Sequence, residues 1–213
     1  MRVPTRPTEP KILNWIHYVH EGARFRSIHT GEMEQLHIVQ GPRLPLTSGE
    51  LVFEDIDYVR EVDPFGDCRV DLPPGVCSIA LGAFAVPDRP TPTYWPVVCI
   101  VGERERAVSW QPAGGDGRVV SDHGAVCTYD ASVRAVFEAR FDPEEEYLAI
   151  HDELVSTSTF VAVRAGDEIA LVVFHCGLGS GAYPVWRGLD QTGQAVCAVA
   201  DLDALNHYEP VED

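Results

Sequence analysis

Ile169-Ala170-Leu171-Val172-Val173-Phe174, followed by His175-Cys176-Gly177, is the stretch whose reading decides the fold. Six consecutive apolar residues suffice for a buried strand and are too few for a helix of ordinary length. Downstream, GLGSGAYPVWRGLD (177–190) reads as a glycine-rich turn just past the strand end. A second apolar run, Ala195 to Val199, then returns to a strand after Gln191-Thr192-Gly193-Gln194. Upstream, Phe160–Val163 forms a strand that reaches the first run across Ala165-Gly166-Asp167. Glycines at alternate positions permit positive φ and leave backbone N–H groups uncovered, which is how a loop cradles an anion.

Working outward, short apolar runs punctuated by Gly and Pro fill residues 44–203, the texture of a mainly β domain. Leu51-Val52-Phe53, Val76–Phe84, Tyr94–Val101 and Ala107–Trp110 read as strands, with neighbouring strands joined by a polar turn forming an antiparallel hairpin. Asp130 is placed to cap a short helix with Val133, Val136 and Phe137 on its apolar face, and Asp142-Pro143 to begin another. Ile12, Leu13, Trp15, Ile16 and Val19 give a partial helical stripe over Lys11–Phe25, with His17 and His20 on neighbouring positions of one face, and residues 27–46 break at Gly41-Pro42. The expected architecture is therefore α+β and mainly β, an antiparallel or mixed sheet core with one or two short helices in the middle. A helical appendage and arm (1–43) precede the β domain (44–203), and an acidic tail (204–213) follows it.

Composition bounds the function. The chain has 213 residues and a formal net charge of −17, from 33 Asp+Glu against 16 Lys+Arg. Nucleic acid polymers and anionic membranes are held by Lys and Arg, so neither is an expected partner. A small ligand, a divalent cation or a basic protein remains compatible with that field. The six cysteines, 68, 77, 99, 127, 176 and 197, contain no C-x-x-C pair and read as reduced, which with the absence of an apolar leader or span points to the cytoplasm.

The order of Asp63-Pro64, Leu72-Pro73-Pro74-Gly75, Val120-Ser121-Asp122-His123-Gly124 with Asp130, and the terminal Gly177-x-Gly179-x-Gly181-x-Tyr183-Pro184-Val185-x-x-Gly188-x-Asp190 resembles the bacterial domain of unknown function 4241 family. The resemblance runs from about Leu44 to Asp203. The chain departs from it at Ser180, where the family usually has Asp, and at Asp201-Leu202, where the family usually has Asp-Phe. That family name carries no chemistry, so function is argued from the residues.

The candidate catalytic groups are His175, Asp122, His123 and Asp190. The candidate substrate-binding groups are Gly179, Ser180, Gly181, Tyr183 and Arg187. If the two glycine-bearing loops meet, a guanidinium for an anion, an imidazole able to move a proton and orienting carboxylates share one site. Phosphodiester hydrolysis uses that set, and a cyclic nucleotide is the expected kind of substrate, with a divalent metal a possible cofactor. Gly179-Ser180-Gly181 is a poor nucleophile elbow, because Pro184 opposes the helix that should follow. The alternative is a non-enzymatic acidic module that masks a basic protein partner.

Overall fold

The 169–174 run lies within strand β11 (Glu168–His175) and pairs antiparallel with β10 (Val161–Ala165) across the expected turn at Gly166. In this computed structural model the described residues are 15–59, 67–86, 94–115, 117–136, 148–154, 159–176, 179–202 and 207–211. Five strands form the smaller sheet, in the order β10, β11, β9 (Ala125–Asp130), β3 (Glu50–Asp55) and β4 (Cys68–Asp71).

The larger sheet starts at its edge with β14 (Tyr208–Val211), β1 (Arg24–Ser27), β2 (Met33–Leu46) and β5 (Gly75–Ala85). It continues through β6 (Tyr94–Gly102), β13 (Ala195–Asp201) and β12 (Gly181–Leu189). The second half of β12 pairs with β7 (Ser109–Pro112), and its first half with β8 (Arg118–Ser121). Every pairing among the described residues is antiparallel.

The two sheets pack face to face. Side chains alternate between faces along a strand, so β11 sends Val172 and Phe174 inward while Leu171 and Val173 face out. Val172 and Phe174 meet Leu44, Leu81, Cys99, Val185 and Ala200 of the larger sheet in one buried cluster. Each such side chain removed from water contributes roughly 1.5–3 kcal/mol. Both outer faces are also covered, which is why the central strands read as continuous apolar runs. Ile150 and Leu154, in the helical residues 148–154, pack on the outer face of the smaller sheet beside Tyr129 and Leu171. Trp15, Ile16 and Val19 cover the larger sheet beside Val98, Trp186 and Val199. Arg104 fastens this N-terminal cover, its Nη1 donating to the carbonyls of Ile16 at 2.9 Å and Val19 at 2.6 Å.

Several sequence expectations change here. The N-terminal helical appendage is not supported: among the described residues the segment makes one 3₁₀ turn, Ile16–Tyr18, and then enters β1. Of its apolar stripe, Trp15, Ile16 and Val19 are buried, but on a sheet surface, while Ile12 and Leu13 lie outside the described residues; His17 and His20 do not share a helical face. Gly41-Pro42 does not end an element. β2 runs through it on a register shift between Gln40 and Arg43, a place where proline's missing N–H costs no ladder bond. A Cβ at Gly41 would lie 2.7 Å from the tip of the Phe160 ring, which would have to shift to admit it.

The 177–190 stretch is likewise more than a turn. From Gly181 it is strand β12, with Pro184 opposite Arg118. The middle helices are present in part. Asp130 caps a 3₁₀ turn at Ala131–Val133, and residues 134–136 are helical, while Phe137 and Asp142-Pro143 lie outside the described residues. All six cysteines are unpaired, five of them buried.

Candidate functional site

The two loops singled out by their glycines meet at one end of the sandwich. Asp122, His123 and Gly124 join β8 to β9, while Gly179 and Ser180 lead into β12. Because β8 pairs with β12, Ser121 stands opposite Gly181 and the loops are brought side by side. Ser180 Oγ donates to the Asp122 carbonyl, and the Cys176 N–H donates to the Gly124 carbonyl at 2.8 Å. The approach is so close that a Cβ on Gly124 would lie 2.8 Å from Gly179 Cα, at a backbone φ of +79° that favours glycine in any case.

The support beneath them is Asp55, a fully buried carboxylate at the end of β3. Oδ1 accepts the Asp57 N–H at 2.8 Å and Oδ2 accepts the Asp122 N–H at 2.7 Å. Burial pushes the Asp55 carboxyl above its ordinary range, and the two backbone donors oppose that shift. Asp57 in turn contacts His123 Nδ1. Asp122 accepts from the Tyr58 hydroxyl at 2.7 Å, a bond that pushes the phenol up to about 12.

His175 ends β11 half-buried, its Nδ1 3.4 Å from the Gly124 carbonyl and its ring 6.5 Å from that of His151 in an edge-to-face arrangement. Burial lowers its pKa, helped by His151 and opposed by the Gly124 carbonyl. The imidazole is therefore held toward its neutral form. With Nδ1 of His123 on Asp57 and Nδ1 of His175 near the Gly124 carbonyl, Nε2 is the ring nitrogen that remains on each for a ligand.

His123 and His175 line one groove of about 330 Å³ with Gly124, Gly179, Tyr94 and Trp95. Trp95 is 43% exposed, an unusual position for a large aromatic and a ready stacking surface. Asp55, Asp57, Tyr94 and Trp95 were not among the sequence candidates. The available signal was Glu54-Asp55-Ile56-Asp57, carboxylates placed directly at the end of an apolar strand.

The remaining candidates divide. Tyr183 is a core residue whose hydroxyl donates to the Gly179 carbonyl, and Ser180 is occupied in tying the loops. The N–H groups of Gly124 and Gly179 go to Ser121 Oγ and the Cys176 carbonyl, so these two glycines do not build an anion cradle. Arg187 and Asp190 lie toward and just past the opposite end of β12, about 20 Å and about 30 Å along the chain from Gly181 at ~3.3 Å per residue. There Asp190 Oδ1 caps the β12–β13 turn by accepting from Thr192 N–H, Thr192 Oγ1 and Gln194 N–H. Asp130 is likewise structural. Burial alone would raise its pKa, but donors from Ser132 and Ser48 hold it below the usual range.

Cys176 is buried, and its thiol is pushed far up by burial, which removes it as a nucleophile. Among the described residues no group of three or more His, Cys, Asp and Glu is arranged to hold a metal. No described helix is long and apolar enough to cross a membrane.

The fold and site define an antiparallel β-sandwich with a two-histidine groove at one end. Residues 117–200 match the model of a family described as a protein of unknown function (DUF4241), which bears out the resemblance over that stretch, from β8 to β13. No curated protein and no solved structure matches the chain.

Asp55→Asn leaves one acceptor for two backbone donors. It is expected to lower unfolding stability by about 1–3 kcal/mol and to speed amide exchange at Asp122. An unchanged urea midpoint with unchanged exchange would remove Asp55 as the support. His175 gives a pH signature. Its folded pKa lies below the ordinary 6.5, so the unfolded chain binds the proton more readily. The stability it contributes is present above 6.5 and is lost as pH falls toward the folded value. His175→Gln is expected to flatten that part of the stability–pH curve, and a curve of unchanged slope would contradict this.

Proposed function

We propose that the chain is a small hydrolase acting on a low-molecular-weight phosphodiester, such as a cyclic nucleotide, with His123 and His175 as its acid–base pair. The observation that carries this reading is the single groove shared by both imidazoles and the exposed Trp95. His175, favoured neutral, takes a proton from water as the water oxygen bonds to phosphorus. His123, oriented by Asp57, gives a proton to the departing alkoxide as its P–O bond breaks. The aromatic ring of a nucleobase stacks on Trp95. Asp122 positions the loop and does not touch the reacting atoms. Arg187 and Asp190 take no part in this site. A cytoplasmic setting suits the six unpaired cysteines.

A second reading, an acidic module that binds a basic protein, draws on the excess of 33 carboxylate residues over 16 Lys+Arg. It expects a complex that dissociates steeply with salt and is indifferent to the two histidines.

Turnover on a panel of small phosphodiesters separates the readings. His123→Ala and His175→Ala are each expected to lower kcat by roughly 10²–10⁴-fold while the thermal midpoint moves little. A parallel series with chelator and with added divalent cation decides whether a metal takes part. Turnover that survives both substitutions would overturn the site, and no turnover on any substrate would leave the binding module as the better reading.

A further inference from the structure

At the other end of β12 a second groove, of about 550 Å³, is lined by Arg187 with Leu72, Pro73, Pro74, Gln111 and Asp71, among others. The strand's alternation explains how a guanidinium comes to be there. Tyr183 and Val185 point into the core between the sheets, and Arg187, two residues further, falls on the same face where β12 pairs with the short edge strand β7.

Its hydrogen bonding is incomplete. Nη2 donates to Gln111 Oε1 at 2.7 Å, Nε is buried without a partner, and among the described residues Arg187 makes no ion pair, although the chain carries 33 Asp and Glu. A guanidinium offers five N–H donors in a planar fork matched to a carboxylate; with Nε buried and one Nη2 hydrogen used by Gln111, the rest of the Nη1 and Nη2 donors remain for a ligand. The walls beside it, Leu72, Pro73, Pro74 and Leu189, are apolar. Asp71 contributes a negative charge to the same groove, which disfavours a dianion more than a monoanion.

The geometry points to a binding site for a small monocarboxylate with an apolar body, its carboxylate on the Arg187 fork and its body against Leu72 and the two prolines. The site is separate from the histidine groove and does not depend on the function proposed for it.

Calorimetric titration of the whole chain with benzoate tests this, with benzamide as the uncharged isostere and inorganic phosphate as the more highly charged anion. Saturable benzoate binding is expected, with benzamide silent and phosphate weaker. Arg187→Gln is expected to weaken benzoate by about tenfold or more, and His175→Ala to leave its affinity unchanged. Asp71→Asn, an exposed substitution that keeps the test valid if Arg187→Gln does not fold, is expected to tighten benzoate a few-fold. The proposal is overturned by the absence of saturable benzoate binding, by phosphate binding more tightly than benzoate, or by equal affinity for benzamide. It is also overturned if Arg187→Gln binds as the parent does, if His175→Ala abolishes binding, or if Asp71→Asn fails to tighten it.

Discussion

The carboxylate of Asp55, fully buried at the end of β3, is the constraint on which the histidine groove depends. It accepts one N–H from the turn that carries Asp57 and one from the loop that carries Asp122, Asp122 being neighbour to His123. A buried carboxylate without donors is costly, and two backbone N–H groups aimed at it make its position and theirs mutually fixed. The result is that Asp57 and His123, 66 residues apart in the chain, are held in contact. His175 enters from a different strand, β11, whose ladder with β9 and whose Cys176 N–H bond to Gly124 set its place.

The sandwich serves this end by its coverage. Because both outer faces carry packed segments, the central strands are apolar on each side and have little freedom to slip in register. Their ends are therefore rigid points from which short loops project. The two grooves use this differently. The histidine groove gathers loop ends from both sheets and opens beside Trp95, whereas the Arg187 groove lies where β12 meets the short strand β7 and the Leu72-Pro73-Pro74 turn. One strand thus connects two chemically distinct surfaces, one with imidazoles and aromatics and one with a guanidinium and prolines.

Much of the sandwich is legible in the chain. The run at 169–174, the turn at Gly166 and the strands at 51–53, 76–84 and 94–101 follow from apolar runs bounded by Gly, Pro and charge. Asp130 reads as a cap and is one. The N-terminal segment misleads because Trp15, Ile16 and Val19 fit a helical stripe equally well as they fit a cover laid on a sheet, and a window this short does not separate the two. Pro184 reads correctly as opposing a helix, whereas reading 177–190 as a turn hides the strand that begins at Gly181. At the site, His123 and His175 were readable as candidate chemistry, but the meeting of the two glycine loops was only a condition in the sequence and follows from the β8–β12 pairing. Asp55, Tyr94 and Trp95 were not readable, since their roles arise from pairings between distant strands. The distance that separates Arg187 from His175 was equally hidden, because twelve residues of sequence say little until a strand is known to run between them.

The most direct test of the central claim is to map amide and indole chemical shifts while a cyclic mononucleotide is titrated into the protein. The account expects the largest changes at Trp95, His123, Gly124, His175 and Gly179, with the Arg187 groove unmoved. Changes confined to Arg187 and Gln194, or no saturable change at all, would contradict it.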